Sequence, residues 1–399
     1  MKNVWKIALA ASLSAALFLT GCGGGGGGSD EGSSGSADGD TIKIGVNYEL
    51  SGATATYGNS SVEGIDLAIK QINEAGGVLG KQIELVEGDN KSEPAEATSL
   101  STKLMTNDGV VAVLGPATTG NFKATIPVAD KNQIPVISGS ATADDVTVDL
   151  DDDGNPTEVK EFAFKICFSD SFQGITMANF ASSNLGATKA VIIMDNSSDY
   201  AIGLAKNFRS TFESLGGEIV GEEAYIAGNT DFSGILTKIR SMDFDVIFLP
   251  GYYSEAGLII KQARDLGITA PVLGADGFDS PTLLELAGAS ALNDVYYSNH
   301  YSSLDEDPAV IQFIEDFNAE YGKDPDAFNA LGYDTAKFLC DAIERAGEAD
   351  PIAIKDALAS TESFAGVTGT FSIDENHNPV KSVVVIKLTD GEPSESIKI

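Results

Sequence analysis

Short β-rich runs alternate with amphipathic helical runs from Thr41 onward, and the alternation runs through twice. No other feature limits the possible folds as strongly. Residues 42–48 read as a strand. Residues 61–74 read as a helix with Val62, Ile65, Leu67, Ala68, Ile69 and Ile72 on one face, stopped by Gly76-Gly77. Strands at 83–86, 110–114 and 134–137 then alternate with helices at 94–106 and 121–131. Strands that are apolar almost throughout, separated by helices, predict a parallel sheet covered on both faces. The rhythm restarts with strands at 189–194, 218–225, 246–249 and 271–273 and helices at 201–215, 232–240 and 256–266. Longer helices follow at 308–321, 327–346 and 351–359. The last strands, 368–373 and 382–388, are predicted to form a hairpin about Asp374-Glu375-Asn376. The expected fold class is α/β, with two doubly wound parallel-sheet lobes.

Two such lobes leave a cleft between them, and open parallel sheets bind ligands at the carboxyl ends of their strands. In the first series those ends carry Glu49-Leu50-Ser51-Gly52 with Tyr57-Gly58, then residues 115–120, including Thr119, and 138–142, including Ser140 and Thr142. In the second they carry 195–200, with Tyr200, then Gly251-Tyr252-Tyr253 and Gly274-Ala275-Asp276-Gly277. Helix-start amides flanked by Ser and Thr hydroxyls suit an anion such as an α-carboxylate. The first-series tips hold no Lys or Arg, which disfavours a dense phosphate charge. Asp276 can accept from an ammonium and compensate its charge in a dry cleft. Tyrosines supply flat apolar walls with polar tips. Together these groups describe a site for a free amino acid. Taken singly, each has a blander reading: a helix cap, a packed ring, or an ordinary Asp-Gly turn.

The N-terminus sets the compartment. Lys2 and Lys6 precede an apolar or small run at 7–19, too short to span a bilayer of ~30 Å as a helix but suited to a signal-peptide core. The run ends in Leu19-Thr20-Gly21-Cys22, which resembles a bacterial lipobox. Residues 1–21 are therefore read as a lipoprotein signal peptide and Cys22 as the lipidation site. Residues 22–40, rich in Gly and Ser, read as a disordered tether with a root-mean-square reach of ~20–25 Å. The formal net charge of −34 repels nucleic acid and anionic lipid, leaving the N-terminal lipid as the expected membrane contact. Cys167 falls in a strand-like run and Cys340 on a helical apolar stripe, so two separate buried thiols are expected.

The chain resembles the type I periplasmic binding proteins, specifically the leucine/isoleucine/valine-binding group. The resemblance rests on Ile44-Gly45, Leu50-Ser51-Gly52, Tyr57-Gly58, Gly64 and 72–77. It continues through Gly115-Pro116, 134–138, Phe168-Ser169-Asp170 with Gln173-Gly174, and Gly332-Tyr333-Asp334. It implies that Thr119, Ser140 and Thr142 hold a ligand carboxylate, that Tyr57 lines the side-chain pocket, and that Tyr200 and Tyr252 close over it. Asp276 would take the ammonium, where these relatives carry a Glu. It further implies three crossings between lobes, forming a three-strand hinge. The N-terminal lobe is then 41–169 plus 299–381, and the C-terminal lobe 170–298 plus 382–399. Closure about the hinge would trap the ligand for an ABC permease. The expected molecule is a monomeric, lipid-anchored, extracytoplasmic importer subunit without cofactor or metal, binding a small amino acid with branched chains favoured.

Other classes fare less well. With only His300 and His377, no Gly-x-Ser-x-Gly elbow and no Gly-rich phosphate loop, the sequence offers no catalytic constellation. A sensory lipoprotein, or an importer receptor for an amide or aromatic acid, remains the alternative. The run Asp149-Leu150-Asp151-Asp152-Asp153-Gly154-Asn155 places acids at alternate positions, as calcium loops do, but Lys160 stands where a bidentate Glu is required. It is read as a solvated acidic turn in an inserted hairpin.

Overall fold

The computed structural model describes residues 41–399. The predicted signal peptide, the tether and Cys22 lie outside the described residues. The described residues begin with β1 (Thr41–Tyr48), α1 (Ala55–Glu74), β2 (Gln82–Asp89), α2 (Pro94–Lys103), β3 (Ala112–Leu114), α3 (Thr119–Asn132) and β4 (Val136–Ser138). A hairpin of β5 (Val148–Leu150) and β6 (Pro156–Val159) precedes β7 (Ala163–Lys165). The first sheet has the order β2-β1-β3-β4-β7, all parallel. Its central strands β3 and β4 are buried from end to end, and β1 is buried from Ile44 to Tyr48, as strands covered on both faces require.

The second series runs α4 (Asp170–Ser183), β8 (Lys189–Asp195), α5 (Asp199–Ser214), β9 (Glu218–Tyr225), α6 (Ser233–Ile239), β10 (Val246–Phe248), α7 (Tyr253–Asp265), β11 (Val272–Gly274), α8 (Pro281–Ala287) and β12 (Val295–Asn299). Helices α9 (Pro308–Tyr321), α10 (Ala327–Ala346) and α11 (Pro351–Ala359) follow. The chain ends in β13 (Phe364–Gly366), β14 (Gly369–Ile373), β15 (Pro379–Val380), β16 (Val384–Thr389) and β17 (Glu392–Lys398). The second sheet has the order β17-β16-β12-β11-β10-β8-β9, with β16 and β17 antiparallel at one edge. Helix α10 returns to pack along α1. The two lie close: a Cβ on Gly64 would stand 2.0 Å from Asn329 O, and one on Gly332 would stand 2.0 Å from Ser61 O.

Two expectations need correction. The predicted pairing of 368–373 with 382–388 does not form. Asp374 Oδ1 accepts from the amides of Asn376 and Asn378, closing a tight turn that pairs β14 with the short β15 instead. β16 carries Val385, Ile386 and Leu388 into the interior and joins the second sheet between β12 and β17, where both faces are covered. The first helix begins at Ala55, six residues before the predicted start at 61. The polar stretch with Gly58 lacks helical propensity, but burial of Tyr57 and close packing of Gly58 on the Glu49 backbone hold it in the helix.

The hairpin Asp149–Asn155 is the exposed acidic turn expected. Asp151 Oδ1 accepts from the amides of Asp153 and Asn155, so the turn consumes that oxygen itself. Cys167 and Cys340 are both buried and unpaired, and burial pushes each thiol up to about 12.

Candidate functional site

Six of the seven predicted ligand-binding residues line one gap between the strand ends: Tyr57, Thr119, Ser140, Tyr200, Tyr252 and Asp276. The gap is only about 10 Å³, room for roughly one water, so an amino acid can enter only if the rings turn or the lobes part. Tyr57 sits in the first turn of α1 and donates to Gly277 O across the cleft at 2.5 Å. Tyr252 lies edge-on to Tyr57 at 5.5 Å and stacks on Tyr200 at 5.2 Å. Phe328, which the sequence reading did not single out, stacks on Tyr57 at 4.2 Å and completes the aromatic wall.

Asp276 follows β11 and is buried. Its Oδ1 accepts from Tyr200 Oη at 2.7 Å and Gln173 Nε2 at 3.1 Å. The same Tyr200 hydroxyl accepts from Gly277 N at 3.0 Å. Gln173, on the first turn of α4, also accepts through Oε1 from Asp276 N and from Ser298 Oγ. The Asp276 Oδ2 faces His300 Nε2 at 3.2 Å. His300 stacks on Phe168 at 3.5 Å, and burial holds its imidazole down to about 4. In its uncharged form, the tautomer with the proton on Nε2 would donate to that carboxylate as one polar group to another. Burial also raises the Tyr200 phenol, with Asp276 pushing the same way.

On the facing side, α3 starts at Thr119, and Thr118 and Thr119 line the gap at a helix end whose first amides have no intrahelical partner. Glu49 lies beneath this helix start with no exposed surface. It accepts from Ala117 N, Thr118 N, Thr118 Oγ1 and Asn121 Nδ2, at 2.8–3.1 Å. A buried carboxylate at a helix N-terminus is favoured by the helix dipole, and here it anchors the loop that aims Thr119. Ser140 Oγ donates to Ala117 O at 2.9 Å, tying the loops after β3 and β4 together. Thr142 is buried one step further in and does not line the gap. Its hydroxyl lies beside Asp170, whose carboxyl burial drives well up while that hydroxyl works the other way.

Gln173, His300 and Glu49 are the polar residues that sequence reasoning left without a role. Glu49 stood in a strand-end segment but reads as one acid among 59 Asp and Glu residues. His300 immediately follows β12, whose run Val-Tyr-Tyr-Ser-Asn is β-rich and would have flagged it had that strand been predicted.

Two facing sheets, a cleft at their carboxyl edges and polar groups converging there define a solute receptor. Residues 41–393 match the sequence model of the periplasmic binding protein family, and the chain belongs to that family. Within it, the chain falls among the type I proteins of the branched-chain amino-acid group. Its structure is similar to that of the branched-chain amino acid transporter substrate-binding protein LivJ from Streptococcus pneumoniae, solved with isoleucine. The two share 42% identity with a TM-score of 0.84, over 90% of this chain and 99% of that one. The leucine-binding protein LivK from Thermotoga maritima is 36% identical with a TM-score of 0.81, over 89% of this chain and 98% of its own. In Pseudomonas aeruginosa, the leucine-, isoleucine-, valine-, threonine- and alanine-binding protein is 28% identical over 344 residues, 86% of this chain and 88% of that relative.

Proposed function

We propose that the chain is the extracytoplasmic receptor of an ABC importer and binds a small amino acid, branched aliphatic side chains favoured, between its lobes. The observation that carries this reading is Asp276. It is a buried acid hydrogen-bonded only by uncharged partners, and it shares one gap with the start of α3. In this reading the ammonium supplies the positive charge those partners lack. Thr119 and Ser140, with the backbone at the start of α3, receive the carboxylate, and Thr142, expected to join them, stands behind the gap. Tyr57, Tyr200, Tyr252 and Phe328 enclose the side chain. The lobes divide at 41–169 plus 299–381 and 170–298 plus 382–399. The mature protein is a monomer anchored through lipid on Cys22 and delivers its ligand to the permease.

Isothermal titration of the full chain with leucine, isoleucine and valine, then with the other amino acids, small amides and aromatic acids, tests the ligand class. Saturable binding confined to the branched aliphatic set is expected. Binding only to aromatic acids or amides would reassign the pocket. Asp276→Asn keeps the shape and the Tyr200 bond but removes the counter-charge. It should weaken amino-acid binding by about 2–4 kcal/mol, roughly thirtyfold to a thousandfold. Undiminished affinity in that variant sinks the ammonium assignment.

A further inference from the structure

Four hydrogen bonds form two loops through the Asp276-Gly277 turn, and the turn's own backbone fixes their direction. Asp276 N donates to Gln173 Oε1 at 3.1 Å, so the other end of that amide, Nε2, is the one that meets Asp276 Oδ1, also at 3.1 Å. Gly277 N donates to the Tyr200 hydroxyl at 3.0 Å, so the single proton of that hydroxyl turns to the same Oδ1, at 2.7 Å. A backbone N–H can only donate and an ionised carboxylate can only accept, which leaves neither side chain a choice of orientation. Ser298 Oγ donates to Gln173 Oε1 at 2.7 Å and fills that oxygen's second lone pair.

The two carboxylate oxygens are thereby made unequal. Oδ1 receives two donors, which fill its lone pairs. Oδ2 faces His300 Nε2 at 3.2 Å and takes no other hydrogen bond among the described residues, so an acceptor position remains there. From this network we infer that Gln173 is a positioning residue for ligand binding. By gripping Asp276 at both its amide and its carboxylate, it holds the side chain in the rotamer that reserves Oδ2 for the ligand's ammonium. The inference rests on Asp276 being the counter-ion of an amino acid.

Filling space or satisfying one buried N–H would not require a glutamine here. A hydroxyl could accept from Asp276 N, and any donor could meet Oδ1. A primary amide does both at once for one residue, and so fixes that residue's side chain relative to its backbone. Gln173 and Ser298 have no exposed surface, so water does not compete for these bonds. The amide is also delivered from a firm place. A Cβ on the neighbouring Gly174 would stand 2.9 Å from Leu204 O and from Phe208 N, so the first turn of α4 lies hard against α5. The near-isosteric Gln173→Glu would keep the bond from Asp276 N but set carboxylate against carboxylate.

The test is a double-mutant cycle on the full chain, read by leucine calorimetry and by melting temperature without ligand. Gln173→Met keeps the length of the side chain and removes both hydrogen bonds to Asp276. It should weaken leucine binding by at least about tenfold in the parent, but by no more than about threefold beside Asp276→Asn, where no counter-charge is left to orient. Gln173→Glu should lower the melting temperature, and adding Asp276→Asn should raise it again, because the new amide can donate to the new carboxylate. Equal leucine losses from Gln173→Met in the two backgrounds, no loss in either, or no rescue of Gln173→Glu would each overturn the positioning role alone. Undiminished leucine binding by Asp276→Asn by itself would overturn it together with the amino-acid assignment of the site.

Discussion

Asp276 receives hydrogen bonds from Tyr200, Gln173 and His300, and each answers a different part of the cost of burying a carboxylate. Tyr200 contributes most to geometry, because one hydroxyl donates to Oδ1 and accepts from Gly277 N. Tyr200→Phe should therefore lower unfolding free energy by about 1–2 kcal/mol, read by denaturant titration. A change below ~0.5 kcal/mol would show that water replaces the hydroxyl without loss. The pH dependence belongs to another residue. Desolvation, then the neighbouring Asp279, raises the Asp326 carboxyl to about 7, against the opposing Ser60 hydroxyl, the Asn329 amide and Lys323. A carboxyl raised on folding binds its proton more tightly in the folded state. Its stabilising effect is present below the unfolded value of 3.8 and is lost as pH rises towards 7. Asp326→Asn removes that titration, so the variant should gain stability relative to the parent between pH ~4 and ~7.5. Parallel melting curves across that range would refute the assignment.

Where α1 meets α10, the backbones touch through Gly64 and Gly332 and leave no space for a methyl group. Gly332→Ala should cost about 2–4 kcal/mol, because the obstructing atoms are Ser61 backbone and cannot swing aside. Gly234, in α6 with no atom near its missing Cβ, is the control. Gly234→Ala should stabilise by up to ~1 kcal/mol. Equal melting temperatures for the two variants would contradict the close approach. Elements that carried their own periodicity, such as β1 or α5, were legible in the sequence. Those shaped by distant partners were not. The first turn of α1 is helical because Tyr57 is buried and Gly58 fits against Glu49, neither of which is a local signal. β12 carries a weak local signal because its Tyr-Tyr-Ser-Asn run is polar as well as β-rich, and without that strand His300 is one of two histidines with no role attached. Strand-end reasoning gathered Tyr57, Thr119, Ser140, Tyr200, Tyr252 and Asp276 around one gap because the carboxyl ends of parallel strands must converge there. It could not reach Gln173, whose place depends on how α4 packs under β11 and β12.

Across the whole molecule, several direct bonds cross the cleft: Ala327 N donates to Asp279 Oδ2, His300 Nε2 meets Asp276 Oδ2, Ser171 N donates to Asp144 Oδ2, and Thr56 and Thr282 join through their hydroxyls. Tyr57 Oη donates to Gly277 O, Tyr253 Oη donates to Ala53 O and accepts from Thr56 N, and Lys123 pairs with Asp199 at 2.9 Å. The ion pair joins partly exposed groups and is worth little in water. The tyrosine bonds contribute about 0.5–1.5 kcal/mol each. Each such bond is weak enough to break thermally and strong enough to bias the equilibrium, as a receptor that must admit a ligand and then enclose it requires. Tyr57 joins both kinds of contact, since its ring packs against Tyr252, Tyr253 and Phe328 while its hydroxyl crosses the cleft. Tyr57→Phe keeps the ring and removes only the crossing bond. The variant should populate an open form more, seen as a larger radius of gyration by small-angle X-ray scattering. Saturating leucine should restore the compact value. Its leucine affinity should fall by no more than about 1.5 kcal/mol, because closing then draws on ligand binding energy for what the hydroxyl supplied. An unchanged radius with a large affinity loss would mean instead that the hydroxyl serves the ligand directly and that closure is set by the aromatic packing.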